Sequence, residues 1–255
     1  LEELFARAAE GHLGPLRDFR PAPELRAEIE PLLGARFARF DEEREAIALR
    51  EKGCVQELLL RRPGTCAAAV AAGEIRAQFE RSMSEDKELE LVGAVPWGTW
   101  VVDTYHAPGG TARHDPRRRA YILSSRLSSD VTRIKKEFQG ARKGWRVRLR
   151  LENDDARAVV ALSFRRWIEV GRRAAQLREA DDDGPIRVRA ERTRDSAAAE
   201  VTVFPRDGLV LAYLDGAFLH AVADAAGGTL SPGLQIGAAG GTVCVESIRI
   251  IDRSR

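Results

Sequence analysis

A chain of 255 residues suits one large domain or two small ones, and a hydrophobic share of 44% can build a core that needs no staples. Its 41 Lys and Arg nearly cancel its 39 Asp and Glu, and a net charge of +2 gives no overall reason to bind nucleic acid or an anionic membrane. No apolar run reaches the roughly 18 residues that mark a membrane helix, and no groove-reading motif points to specific DNA binding. The chain opens on Leu1 rather than Met, and so reads as a processed mature chain or a piece of something longer.

The first 84 residues carry a helical period. Leu4, Phe5 and Ala8 share a face; Leu25, Ile29, Leu32 and Leu33 recur at three- and four-residue steps; Phe37, Phe40 and Ile47 follow, with charged residues between. Pro21, Pro23 and Pro31 predict short helices at the start. Val55, Leu58 and Leu59 make a further stripe, which Pro63-Gly64 breaks. Thr65 then stands where it can cap a helix over Cys66–Arg81. Cys54 and Cys66 are near enough in sequence to bridge; the alternative is three reduced thiols with Cys244.

From about Glu85 the period becomes two. In Trp145-Arg-Val-Arg-Leu-Arg-Leu, Trp145, Val147, Leu149 and Leu151 point one way and Arg146, Arg148 and Arg150 the other, so this strand has one buried and one wet face. Asn153-Asp154-Asp155 reads as a turn, Val159–Phe164 and Trp167–Val170 as strands, Asp181-Asp-Asp-Gly-Pro as a turn, and Ile186–Ala190 as another alternating strand. One segment breaks the pattern: Val131, Ile134 and Phe138 stand at helical spacing within Ser128–Gly140, which predicts a short helix or an excursion between strands. Asp215-Gly216, between two apolar runs, is the pair favoured for a tight hairpin. The expected class is therefore α+β: an α-helical region over 1–84, then an antiparallel β-sandwich of jelly-roll type over 85–255.

Gly208-Leu-Val-Leu-Ala-Tyr-Leu-Asp-Gly-Ala-Phe-Leu, Gly233-Leu-Gln-Ile-Gly and Val243–Ile250 resemble the paired and closing strands of concanavalin-A-like, laminin-G-like sandwiches, over roughly Gly144–Asp252. The same segment looks like the bacterial domain family known as keto-disaccharide hydrolases. That resemblance implies a sandwich in a larger bacterial protein. It carries over no catalytic residue, because the E-x-D-x-x-E pattern of sandwich glycoside hydrolases is absent.

Three kinds of contact are open to such a chain. Aromatic faces stack on sugars; among Trp97, Trp100, Tyr105, Trp145, Trp167 and Tyr213, the loop residue Trp97 and Tyr105 are the expected platforms, with Trp100 and Trp145 in the core. An anionic partner suits the row Arg146, Arg148 and Arg150, extended by Arg187 and Arg189 if Ile186–Ala190 lies beside it; acidic neighbours such as Glu191 and Glu200 would instead make a paired, solvated face. The hard oxygens of Asn153, Asp154 and Asp155, or of Asp181, Asp182 and Asp183, suit calcium, although turns favour the same residues. His106 and His114 flank Pro108-Gly-Gly at a spacing that matches no zinc pattern, and the strand carboxylates (Glu152, Glu169, Glu191, Glu200, Asp215, Glu246) single out no catalytic pair. The leading expectation is a non-enzymatic binding module for a glycan or a protein. A carbohydrate-active hydrolase or lyase on the same sandwich is the alternative, and a structural subunit assembling through the helical region is the third.

Overall fold

A computed structural model of the chain describes residues 23–83, 88–104, 107–137, 142–163, 166–179, 186–192, 196–223 and 233–252. Tyr105, His106 and Asp181–Asp183 lie outside these residues. In chain order come α1 (Pro23–Glu51), α2 (Val55–Arg61), α3 (Cys66–Met83), β1 (Glu88–Glu90), β2 (Val101–Asp103), β3 (Thr111–Asp115), β4 (Ala120–Ser124), β5 (Thr132–Glu137), β6 (Arg142–Leu151) and β7 (Arg157–Ser163). They are followed by β8 (Arg166–Val170), β9 (Ala174–Glu179), β10 (Ile186–Glu191), β11 (Ala198–Arg206), β12 (Leu209–Leu214), β13 (Ala217–Ala223), β14 (Gly233–Ala239) and β15 (Thr242–Asp252). Two compact units divide the chain, Leu1–Ala48 and Leu49–Arg255.

The first unit holds most of α1. Residues 1–22, with the expected face of Leu4, Phe5 and Ala8, lie outside the described residues; from Pro23 onward one helix runs through Pro31 in place of the shorter helices expected. A proline inside a helix removes one backbone hydrogen bond, and the Ala, Leu, Glu and Arg around it are strong enough helix formers to carry the helix past that loss. No helix among the described residues is long and apolar enough to cross a membrane.

The second unit is an antiparallel β-sandwich. One sheet runs β13-β12-β11-β6-β15-β4-β3, with β1 paired to the far half of β15; the other runs β10-β9-β8-β7-β14-β5-β2. Alternation decides which residues meet between them. Trp145, Val147, Leu149 and Leu151 of β6 are all buried, as are Val201 and Val203 of β11; from the second sheet Ile134, Ala158, Val160, Ile168, Val170 and Ile236 join the same cluster. In β15 the inward residues step from Val243 and Val245 to Ile248 and Ile250. That skip in a period of two needs a bulge, and the register shifts between Val245 and Ser247. Glu90 fills the break: its carboxylate accepts from the Ile248 and Val92 backbone N–H groups, 3.0 Å each, and from the Ser247 hydroxyl.

The Asp215-Gly216 hairpin stands as expected, with φ of 49° and 87°, and Asp207-Gly208 makes a second turn of the same kind at 50° and 76°. Within the Ser128–Gly140 segment, expected as a helix or excursion, Thr132–Glu137 is strand β5. Thr132 and Ile134 are buried at a spacing of two, and β14 and β2 flank them on either side. β-Branched side chains between two waiting strands outweigh a helical spacing carried by only three apolar residues.

Helix α3 covers part of the first sheet's outer face. The Thr65 hydroxyl caps it, accepting from the Ala68 N–H at 3.3 Å. Phe79 stacks on Phe204 at 3.8 Å between centroids, and Phe204 stacks on Tyr213 at 5.4 Å. The Tyr213 hydroxyl donates to the Ala72 carbonyl at 2.8 Å, and Arg76 lies over the Tyr213 ring while donating to the Gly216 carbonyl. This close fit needs Gly144 in the neighbouring strand: a Cβ there would sit 2.9 Å from Phe204 Cβ and 3.1 Å from Phe79 Cζ. All three cysteines are free thiols, Cys244 buried and Cys66 exposed.

Candidate functional site

The second sheet turns its other face outward. In β8, Ile168 and Val170 enter the core, so Trp167 and Glu169 point to the outer side. Register then sets their neighbours. Glu169 lies between Val159 of β7 and Gln176 of β9, and Trp167 lies opposite Ala161. Trp167 is half-buried and packs on a small apolar patch of Val131, Val159 and Ala239, separate from the main core.

Glu169 is nearly enclosed, with only 10% of its side chain exposed, and an ionised group so placed needs partners. It has them: Arg157 donates to it at 3.1 Å and the Gln176 amide donates to the same oxygen. Arg157 also donates to the Ser128 carbonyl, tying the network to the β4–β5 loop. These residues form one wall of a cleft of about 940 Å³ at the end of the sandwich. Its rim comes from four connections: Arg126, Leu127 and Ser128; Asp154 and Asp155; Gly171, Arg172 and Arg173; and Gly240.

The Gly171–Arg173 turn is held from behind. Arg192 has a side chain only 3% exposed and donates to the Gly171 carbonyl at 3.1 Å, the Arg172 carbonyl at 3.4 Å and the Ser196 carbonyl at 2.8 Å. The same guanidinium pairs with Asp215 at 2.8 Å, which in turn accepts from the Glu200 N–H at 2.9 Å. A buried cation is thereby satisfied on every side, and the turn that carries Arg172 is fixed. Arg172 reaches forward to Asp154, 2.8 Å away, and donates to the Leu151 carbonyl at 3.4 Å.

Trp97 and the row Arg146, Arg148 and Arg150, expected from the sequence to make contacts, do not line this cleft. Trp97 sits in a short turn, half-buried against Tyr121 at 4.8 Å and packed on the main core. Tyr105 is outside the described residues. Arg146, Arg148 and Arg150 stand on the wet face of β6, each beside an acid: Arg148 is 2.8 Å from Glu200, Arg150 is 2.6 Å from Glu246, and Arg146 is 3.5 Å from Glu200 and 3.7 Å from Glu80. The extension through Arg187 and Arg189 does not form, because β10 pairs with β9 in the other sheet while β6 pairs with β11 and β15. Strands β7, β8 and β9 lie between these two in sequence, and alternation says nothing about which sheet each one joins.

Of the suggested calcium ligands, Asn153 accepts from the Thr242 N–H at 2.9 Å, Asp154 pairs with Arg172, and Asp155 lines the cleft. No group of three metal-ligating side chains converges among the described residues. His114 packs edge-on to Tyr121 at 5.5 Å. Asp115 accepts from the Arg118 and Arg117 backbone N–H groups, and the first of these leads in holding its carboxyl below the usual range. The cleft residues Arg157, Gln176 and Arg172 were not singled out together by the sequence. The alternation of Trp167-Ile-Glu-Val shows that Trp167 and Glu169 share a face; nothing local shows that four distant loops meet beside them.

No family model matches the chain, and no curated protein matches it. Solved structures do. A β-glucanase from Bacillus licheniformis matches 66% of this chain and 98% of its own, at 10% identity and a TM-score of 0.46. A protein of unknown function with a galectin-like fold from Bacillus subtilis matches 65% and 94%, at 7% identity and 0.48. A carbohydrate binding module from Bacillus subtilis matches 59% and 93%, at 12% identity and 0.43. The two-sheet antiparallel sandwich of this chain rests on its own strand pairing.

Proposed function

We propose that the protein is a non-enzymatic glycan-binding module whose site is the outer face of the second sheet and the cleft at its end. One observation carries this reading: a half-exposed Trp167 on an apolar patch stands two residues along the strand from Glu169, whose carboxylate is already ordered by Arg157 and Gln176 in the cleft wall. Sugar recognition asks for that combination, an apolar face for the ring beside fixed donors and acceptors for its hydroxyls. Rigid strands and pinned loops reduce the entropy lost on binding.

A glycan array probed with the purified protein tests the proposal. Trp167→Ala lowers affinity for the bound glycan about tenfold, equivalent to about 1.4 kcal/mol. Gln176→Ala, which leaves the aromatic in place, lowers it by a smaller factor. A protein that binds no glycan, or binds one equally well after Trp167→Ala, sinks the reading.

A hydrolase or lyase is the second reading, because Asp154, Asp155 and Glu169 line one cleft. Two of these carboxylates are engaged by the cleft itself, Glu169 by Arg157 and Gln176 and Asp154 by Arg172, which favours binding over chemistry. Release of reducing ends from the bound glycan that stops in Glu169→Gln would reverse this preference.

A further inference from the structure

Resting on the glycan-binding reading, we infer that the ligand is an acidic saccharide, and that its carboxylate exchanges with the Asp154 carboxylate on Arg172. The Asp154–Arg172 pair is lopsided. Asp154 has 88% of its side chain exposed, whereas Arg172 has 29% and lines the cleft. An exposed ion pair contributes about 0–1 kcal/mol, so swinging Asp154 into water costs little. Arg172 stays where it is when Asp154 leaves. Its guanidinium still donates to the Leu151 carbonyl, and its backbone is held by Arg192 through the Gly171 and Arg172 carbonyls. A guanidinium held in place in this way matches a carboxylate in both charge and shape. Its Nε–H is enclosed and has no hydrogen-bond partner, so the group carries more donors than its present surroundings accept.

The charge around the cleft points the same way. Four guanidinium groups line it (Arg126, Arg157, Arg172, Arg173) against three carboxylates (Asp154, Asp155, Glu169). Arg157 is balanced by Glu169. Once Asp154 turns outward, Arg126 and Arg172 at the mouth outnumber Asp155, a positive site that takes an anion. A bare anion would not use the neighbouring face. Trp167 stands five residues before Arg172, about 16 Å at strand spacing, roughly the span of three pyranose units. An oligosaccharide with one ring over Trp167 and a later residue whose carboxylate sits on Arg172 uses both features, which describes an oligosaccharide that contains uronic acid.

The experiment is calorimetry on the full chain with oligogalacturonate and alginate oligosaccharides, each beside its methyl-esterified form. The ester keeps the sugar and removes the charge. The acid forms bind, and the esters bind about tenfold more weakly, the loss expected when one charge-assisted hydrogen-bonded pair goes. Arg172→Gln abolishes the difference between acid and ester. Asp154→Asn, at an exposed position that leaves folding intact, tightens acid binding about threefold by removing the internal competitor. Equal binding of acid and ester, or no gain in Asp154→Asn, overturns the inference. Capture of neutral glycans on the array, lost in Trp167→Ala, would leave the glycan-binding reading standing and sink only the acidic ligand. Silence across the whole array sinks both. Inorganic sulfate or polyphosphate bound as tightly as the oligosaccharides, and indifferent to Trp167→Ala, also overturns it, since the site would then hold an anion without a sugar.

Discussion

Replacing Phe79 with alanine asks whether α3 is structurally part of the sandwich. Phe79 is 7% exposed and stacks at 3.8 Å on Phe204, a residue fully buried beneath it. Truncation to Ala removes about 150 Å² of buried ring, worth about 4 kcal/mol at about 25 cal/mol per Å². The lost stacking adds about 1 kcal/mol, and residual structure in the unfolded chain takes back a similar amount. The expected loss is therefore about 4 kcal/mol, within the range for Phe→Ala in a core. With a urea slope of about 2 kcal/mol per M, the unfolding midpoint falls by about 2 M. Phe79→Leu, which keeps most of the volume, falls by much less. Equilibrium urea unfolding followed by fluorescence reads both. A Phe79→Ala midpoint within about 0.5 M of the parent would mean that the helix adds little to the sandwich, and the reasoning from the aromatic stack would fail.

Further expectations follow from the same packing. A chain that begins at Leu49 unfolds in one cooperative step, whereas one that begins at Glu85 leaves Phe204 and Tyr213 uncovered and binds a hydrophobic dye, which fluorescence titration distinguishes. Arg192→Met strips the Gly171–Arg173 turn and the Asp215 hairpin of their shared donor and lowers stability by about 3 kcal/mol; Asp215→Asn, at a side chain 41% exposed, lowers it by clearly less in the same assay. Burial pushes the Tyr213 phenol above its ordinary value of 10.0, so the folded state keeps a proton that the unfolded state releases. Stability is then fully present below pH 10 and declines as pH rises beyond it, and Tyr213→Phe makes the decline shallower when urea midpoints are compared across alkaline pH. Thiol labelling of the native protein modifies exposed Cys66 first and Cys244 last, since Cys244 is 3% exposed and burial raises its thiol pKa.

The amino-acid sequence by itself determined which way side chains face and where the chain turns. Trp145, Val147, Leu149 and Leu151 enter the core because a strand repeats every two residues, and Asp215-Gly216 turns because both positions accept positive φ. Thr65 caps α3 for an equally local reason. These are contacts over a few residues, and the local order of residues encodes them. Tertiary structure alone decided which strands became neighbours. The row Arg146, Arg148, Arg150 meets Glu200 and Glu246, 52 and 96 residues from its own members, and so becomes a paired face rather than a bare basic one. β10 goes to the opposite sheet from β6 although both alternate arginine with apolar residues. Thr132–Glu137, inside a stretch with helical spacing, becomes a strand because β14 and β2 flank it. The cleft is the furthest from local rules: Arg126, Asp154, Arg172 and Gly240 meet only when two sheets close on a common core and bring four loops to the same end. Alternation specifies a face, but it carries no information on strand order, and strand order decides what each face meets.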